Sequence, residues 1–123
     1  MDFNSIYSQH TVMIGKKVLI IDDEADLGFL MTEFFRKKGC KIFVASTLTS
    51  GLKILQTEEA DLVFMDNNLP DGLGWNQAAF ISSHYPKTQL ILISATEFIG
   101  HTLPAYRILY KPILKVELHR IFD

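Results

Sequence analysis

Four short apolar runs constrain this chain more than any other feature: Val18-Leu19-Ile20-Ile21, Leu62-Val63-Phe64-Met65, Leu90-Ile91-Leu92-Ile93 and Ile108-Leu109-Tyr110. Each is bounded by polar residues and lacks the alternation of a strand with one wet face. Such runs read as strands buried on both faces of a parallel sheet. Reactive side chains follow each run: Asp22-Asp23-Glu24 after the first, Asp66 after the second, Ser94 after the third and Lys111-Pro112 after the fourth. In open α/β sheets the ligand crevice lies outside the carboxyl ends of the strands. The pattern therefore predicts that the carboxylates Asp22, Asp23 and Asp66, a hydroxyl and an ammonium share one pocket.

Between the runs the periodicity is helical. Leu27, Leu30, Met31, Phe34 and Phe35 recur at i, i+3, i+4 spacing, and Arg36-Lys37-Lys38 followed by Gly39 marks a helix end. Ile42 to Ala45 reads as a short second strand. Ser46 and Thr47 offer N-caps for a helix whose core face is Leu48, Leu52 and Leu55. Pro70-Asp71-Gly72 is turn chemistry, and Trp75 to His84 reads as a third helix that stops before Pro86. In the last segment Leu114, Leu118, Ile121 and Phe122 share one helical face. This alternation implies right-handed crossovers and a doubly wound sheet with helices on both faces. Residues 1–15 carry no clear period and are expected to form an N-terminal extension, disordered in part; residues 16–123 form the domain.

At 123 residues the chain accommodates one domain and not two. No apolar stretch approaches the length needed to cross a bilayer, and no signal-peptide pattern is present, so a cytoplasmic protein is expected. Cys40, the only cysteine, rules out an internal disulfide and reads as a structural thiol. A formal net charge of −2 gives no reason to expect a nucleic-acid or membrane surface. His10, His84, His101 and His119 lie far apart without ligand spacing, which argues against a transition-metal site. The first strand is not followed by the glycine fingerprint of dinucleotide-binding folds.

VLIIDDE, MDNNLPDGLG, LILISA and LYKP stand in the order, and close to the spacing, of the receiver domain of bacterial two-component response regulators. The chain resembles that family from about Lys16 to Phe122. The resemblance implies a flavodoxin-like receiver fold, a doubly wound five-stranded parallel sheet in the order 2-1-3-4-5. That order puts Asp22, Asp23 and Asp66 at the switch point between the first and third strands. It further implies that Mg2+ is held directly by Asp23 and Asp66, through water by Asp22, and by the backbone carbonyl of Asn68. Asp66 would be the phosphoacceptor, with Ser94 and Lys111 on the phosphoryl oxygens and a cis Lys111-Pro112 bond aiming the ammonium. The implied donor is a histidine kinase or phosphotransfer protein; the downstream target is unnamed, and a homodimer is compatible. Such a domain is not an enzyme in the ordinary sense, since it takes part in its own phosphorylation and dephosphorylation.

General chemistry agrees with that assignment. Magnesium is a hard cation that favours oxygen ligands and retains waters, so a few carboxylates and phosphate oxygens suffice to hold it. Converging carboxylates raise one another's proton affinity unless a cation relieves them. Phosphoryl transfer requires mainly positioning and charge neutralisation, and a lysine supplies a compact point charge.

Two departures from the family pattern are present. Ile108 stands three residues before Lys111, where the family generally has an aromatic residue that swings inward on activation. The interval from Ser94 to Lys111 is short by about one helical turn, and Gly100 and Pro104 within it are poor helix-interior residues. The fourth helix, between the last two strands, is therefore expected to be shortened or irregular, with the output response in residues 95–105 and not in a ring at position 108. The competing expectation is a pseudo-receiver, an interaction module that signals without phosphate.

Overall fold

The computed structural model describes residues 13–95 and 106–123. Strands β1 (Lys17–Ile21), β2 (Lys41–Ala45), β3 (Leu62–Asp66), β4 (Gln89–Ser94) and β5 (Arg107–Tyr110) form one parallel sheet. Their order is β2-β1-β3-β4-β5, the flavodoxin-like arrangement expected. The inner strands are buried on both faces, which explains why their sequences are uninterrupted apolar runs. Alternate residues serve opposite cores: Val18, Ile20, Leu62, Phe64, Ile91 and Ile93 face one side. Leu19, Ile21, Val63, Met65, Leu90 and Leu92 face the other.

Helix α1 (Ala25–Arg36) and the C-terminal helix α4 (Lys115–Phe122) cover the first core. Phe35 meets Phe64 and Phe122 at ring-centroid distances of 5.6 and 5.0 Å. Helices α2 (Leu48–Glu58) and α3 (Ala78–His84) cover the second core through Leu48, Leu55, Ala78 and Ile81. Each fully buried large apolar side chain contributes roughly 1.5–3 kcal/mol relative to exposure. The two faces together hold the strand ends in register.

Local signals locate the helix ends. Gly39 adopts φ +82°, and its N–H donates to the Arg36 carbonyl at 2.9 Å, closing α1 where the basic turn and glycine predicted. Thr47 caps α2 by accepting the Ser50 N–H at 3.1 Å.

Four local features differ from the sequence reading. The segment read as one helix from Trp75 to His84 opens as a 3₁₀ turn, Gly74–Gln77, before α3. Its start is tied down, because the Gly74 N–H donates to the Asn67 carbonyl and the Trp75 N–H to Asn67 Oδ1. The turn chemistry at Pro70-Asp71 is the tip of a small hairpin in which Asn68–Leu69 pairs with Gly72–Leu73. Leu114, expected on a buried face, precedes the first turn of α4 in extended backbone and is 56% exposed; Ile113 is buried instead. Met13 is packed in the core and accepts the Lys16 N–H and the Cys40 thiol through its carbonyl, so packing begins before residue 16.

Cys40 is buried, and burial pushes its thiol above the usual range, with Lys38 opposing and Asp61 reinforcing the shift. This environment suits a structural thiol. The expected irregularity of the fourth helix falls on residues 96–105, outside the described residues. Among the described residues no helix is long and apolar enough to cross a membrane.

Candidate functional site

The sheet register brings the reactive residues together. Ile21 pairs with Met65, so the aspartates that follow β1 lie beside Asp66, the last residue of β3. Asp66 in turn pairs with Ile93, and Ser94 with Tyr110, which places Ser94 and Lys111 on the same rim. One carboxylate oxygen from each of Asp22, Asp23 and Asp66 lies within 4.8 Å of the others. Asp22, Asp66 and Ser94 are buried, whereas Asp23 opens to solvent.

Backbone groups fix the two buried carboxylates. Asp22 Oδ1 accepts the Glu24 N–H at 2.8 Å, and Asp66 Oδ1 accepts the Asn67 N–H at 3.0 Å. Asn68 opens the hairpin two residues beyond Asp66. Gly74 closes that loop at very short range: a Cβ there would lie 2.1 Å from the Asp66 carbonyl oxygen. Only a glycine permits this approach.

Lys111 enters from the opposite side. Its backbone N–H donates to the Ser94 carbonyl at 2.8 Å, and its bond to Pro112 is cis, as expected. Its ammonium lies 3.0 Å from Asp22 Oδ2, 3.1 Å from Glu24 Oε1 and 3.6 Å from Asp66 Oδ2. The cation is thus shared, and it sits closer to the Asp22–Glu24 side than to Asp66. Glu24 is the partner that sequence reasoning missed. Its only signal was its place after Asp22-Asp23, where a third acid also reads as a helix-start residue. Ile108 sits in β5 opposite Leu92, half-buried against the core under α2 and α3.

Electrostatics follow from this geometry. Burial and then the neighbouring Asp22 charge raise the Asp66 carboxyl above its ordinary value, against the opposing pull of Lys111 and the Asn67 N–H. Burial alone would lower Lys111, but its hydrogen bonds to Asp22 and Glu24 outweigh that and hold it raised. A buried carboxylate disfavoured as an anion gains from a nearby cation. The donor set is all oxygen, converges within one ion's reach and opens to solvent at Asp23, which fits a hard divalent cation such as Mg2+.

An open α/β sheet with an acidic crevice at its β1/β3 switch point defines a domain of the flavodoxin-like class. More narrowly, the response regulator receiver domain family matches residues 18–123, and the chain belongs to that family. It is similar to the sporulation initiation phosphotransferase F of Bacillus subtilis, with 36% identity over 63 residues covering 50% of this chain and 51% of that protein. The chain spans about half or less of the length of the curated relatives it matches. Among solved structures it resembles the response regulator protein TrrA from Thermotoga maritima in complex with Mg(2+)-BeF. That match has 26% identity and a TM-score of 0.74, covering 85% of this chain and 94% of that one. A structure of histidine kinase ThkA in complex with TrrA shares the fold, with 24% identity, a TM-score of 0.72 and coverage of 85% and 93%.

Proposed function

We propose that this chain accepts a phosphoryl group on Asp66 from a histidine kinase or phosphotransfer protein, in a magnesium-dependent reaction, and thereby switches a protein interaction. The observation that carries the reading is the convergence of Asp22, Asp23 and Asp66 within 4.8 Å, with the Lys111 ammonium touching two of them. Asp23 and Asp66 would hold the cation directly, Asp22 through water, and the Asn68 carbonyl would complete the protein ligands. When bound, the ion neutralises charge on the phosphoryl oxygens and the acceptor carboxylate together.

The chain's own residues do the rest. The Asn67 N–H occupies Asp66 Oδ1, leaving Oδ2 on the Lys111 side to attack phosphorus. An acyl phosphate forms as the donor's P–N bond breaks, and the electron pair leaves with the donor imidazole. Lys111 and the Ser94 hydroxyl take the equatorial oxygens as charge shifts onto them. A second reading, a receiver-like module that signals without phosphate, is favoured only by Ile108, an aliphatic residue at the place of the family's switching ring.

Incubation with a small phosphodonor and Mg2+ should add one phosphoryl group that hydroxylamine removes. Asp66→Asn, or omission of the metal, should abolish labelling. Label that persists in Asp66→Asn would overturn the assignment, and a wild-type chain that takes no label under any donor would favour the phosphate-independent module.

A further inference from the structure

We infer that Glu24 is a positioning residue that sets where the Lys111 ammonium sits, and that it thereby favours metal entry and opposes phosphoryl retention. This rests on the reading of Asp66 as phosphoacceptor. Glu24 Oε1 lies 3.1 Å from Lys111 Nζ, essentially as close as Asp22 Oδ2 at 3.0 Å and closer than Asp66 Oδ2 at 3.6 Å. Asp22 and Glu24 lie within hydrogen-bond distance of the ammonium, whereas Asp66 is reached by charge alone.

The geometry of Glu24 is built for this contact. It is the residue that starts α1, yet its side chain makes no capping bond and is left to reach Lys111. Its own N–H donates to Asp22 Oδ1, so its backbone is fastened to the carboxylate that shares the cation. The Lys111 side chain is 12% exposed and that of Glu24 57%, which makes Glu24 the solvent-side anchor of a mostly enclosed charge.

The two effects have opposite signs for one reason. When the aspartates hold a dication, the ammonium is repelled from Asp22, and Glu24 remains as its carboxylate partner. Without Glu24 the withdrawn ammonium would be left in a poorly hydrated position, which weakens cation binding. A phosphoryl group on Asp66 draws the same ammonium the other way. Glu24 then competes with the phosphoryl oxygens, and its removal frees Lys111 to serve them.

The test uses Glu24→Gln, Lys111→Met and the double variant. Calorimetry reads the Mg2+ affinity of each unmodified protein and, at saturating Mg2+, the beryllofluoride affinity of the wild type and Glu24→Gln. Glu24→Gln should weaken Mg2+ binding about two- to five-fold and tighten beryllofluoride by a similar factor, the size typical of a partly exposed ion pair. In the Lys111→Met background Glu24→Gln should leave Mg2+ affinity nearly unchanged, because the coupling runs through the ammonium. An undiminished Mg2+ effect in that background would show that Glu24 acts through its field alone and would overturn the inference. Shifts of the same sign for both ligands in Glu24→Gln would overturn it equally, and that comparison needs no folded Lys111 variant. A wild-type protein that binds no Mg2+ defeats the phosphoacceptor reading itself, whereas wild-type binding with an additive cycle defeats only the role of Glu24.

Discussion

Gly74 shows how tightly single residues define the loop after Asp66. A Cβ at this position would lie 2.1 Å from the Asp66 carbonyl oxygen and 3.0 Å from Met65 Cγ. The first of these is backbone and cannot rotate away, so Gly74→Ala must displace the loop that follows Asp66. A loss of roughly 1–3 kcal/mol in stability, the usual result of overpacking, is expected by urea denaturation, together with slower labelling by a small phosphodonor. Wild-type stability and labelling in this variant would show that the loop is more pliable than its contacts imply. At this scale the sequence was legible where chemistry sits at a strand end: Asp22, Asp23, Asp66, Ser94 and Lys111 were all placed on one rim by the apolar runs before them. Glu24 was not, because a third acid before a helix is as readily a first-turn residue as an ion-pair partner, and sequence spacing carries no distance to a loop 87 residues away.

Helix α2 depends on a residue outside itself. Asp71, at the tip of the hairpin, accepts the Leu48 N–H at 2.7 Å, the Thr49 N–H at 2.9 Å and the Thr49 hydroxyl at 2.7 Å. Together with Thr47, which takes the Ser50 N–H, it satisfies donors that the first turn of a helix leaves without intrahelical partners. These bonds hold the Asp71 carboxyl down at about 2, from an ordinary 3.8. A depressed carboxylate contributes stability that is present above its unfolded value and is lost as pH falls through its folded one. Asp71→Asn should therefore lower the melting temperature at neutral pH and flatten its decline between roughly pH 4 and pH 2. Parallel acid limbs for the two proteins would sink the claim that the charged form is what caps α2. The local cap at Thr47 could be read from sequence; the remote one could not, because Pro70-Asp71-Gly72 announces only a turn. The same limit hid the hairpin, whose strands of two residues each are too short to show a period.

For the whole molecule, the topology decides where the electrostatic strain falls. The apolar runs implied a doubly wound parallel sheet, but the order of its strands came from family resemblance, since periodicity does not say which strand neighbours which. In the observed order, β1 and β3 are adjacent and their following loops diverge, so the crevice opens onto Asp22, Asp23 and Asp66. Folding therefore buries Asp66 and brings Asp22 beside it, and the raised proton affinity of Asp66 reflects burial first and the Asp22 charge second. Lys111 offsets it only in part, being a single charge shared among Asp22, Glu24 and Asp66. A divalent cation that binds here binds the folded chain and not the unfolded one, so it must stabilise the fold. At a Mg2+ concentration of about 100 times Kd the gain is about 2.7 kcal/mol. For a domain of this size that corresponds to a rise of roughly 10 °C in melting temperature. The rise should reverse on chelation and be lost in Asp23→Ala, whose side chain is the solvent-side member of the cluster. Scanning calorimetry with and without Mg2+ decides the matter: a wild-type transition that the ion leaves unmoved would mean that the acidic crevice is balanced by Lys111 alone and is not a metal site.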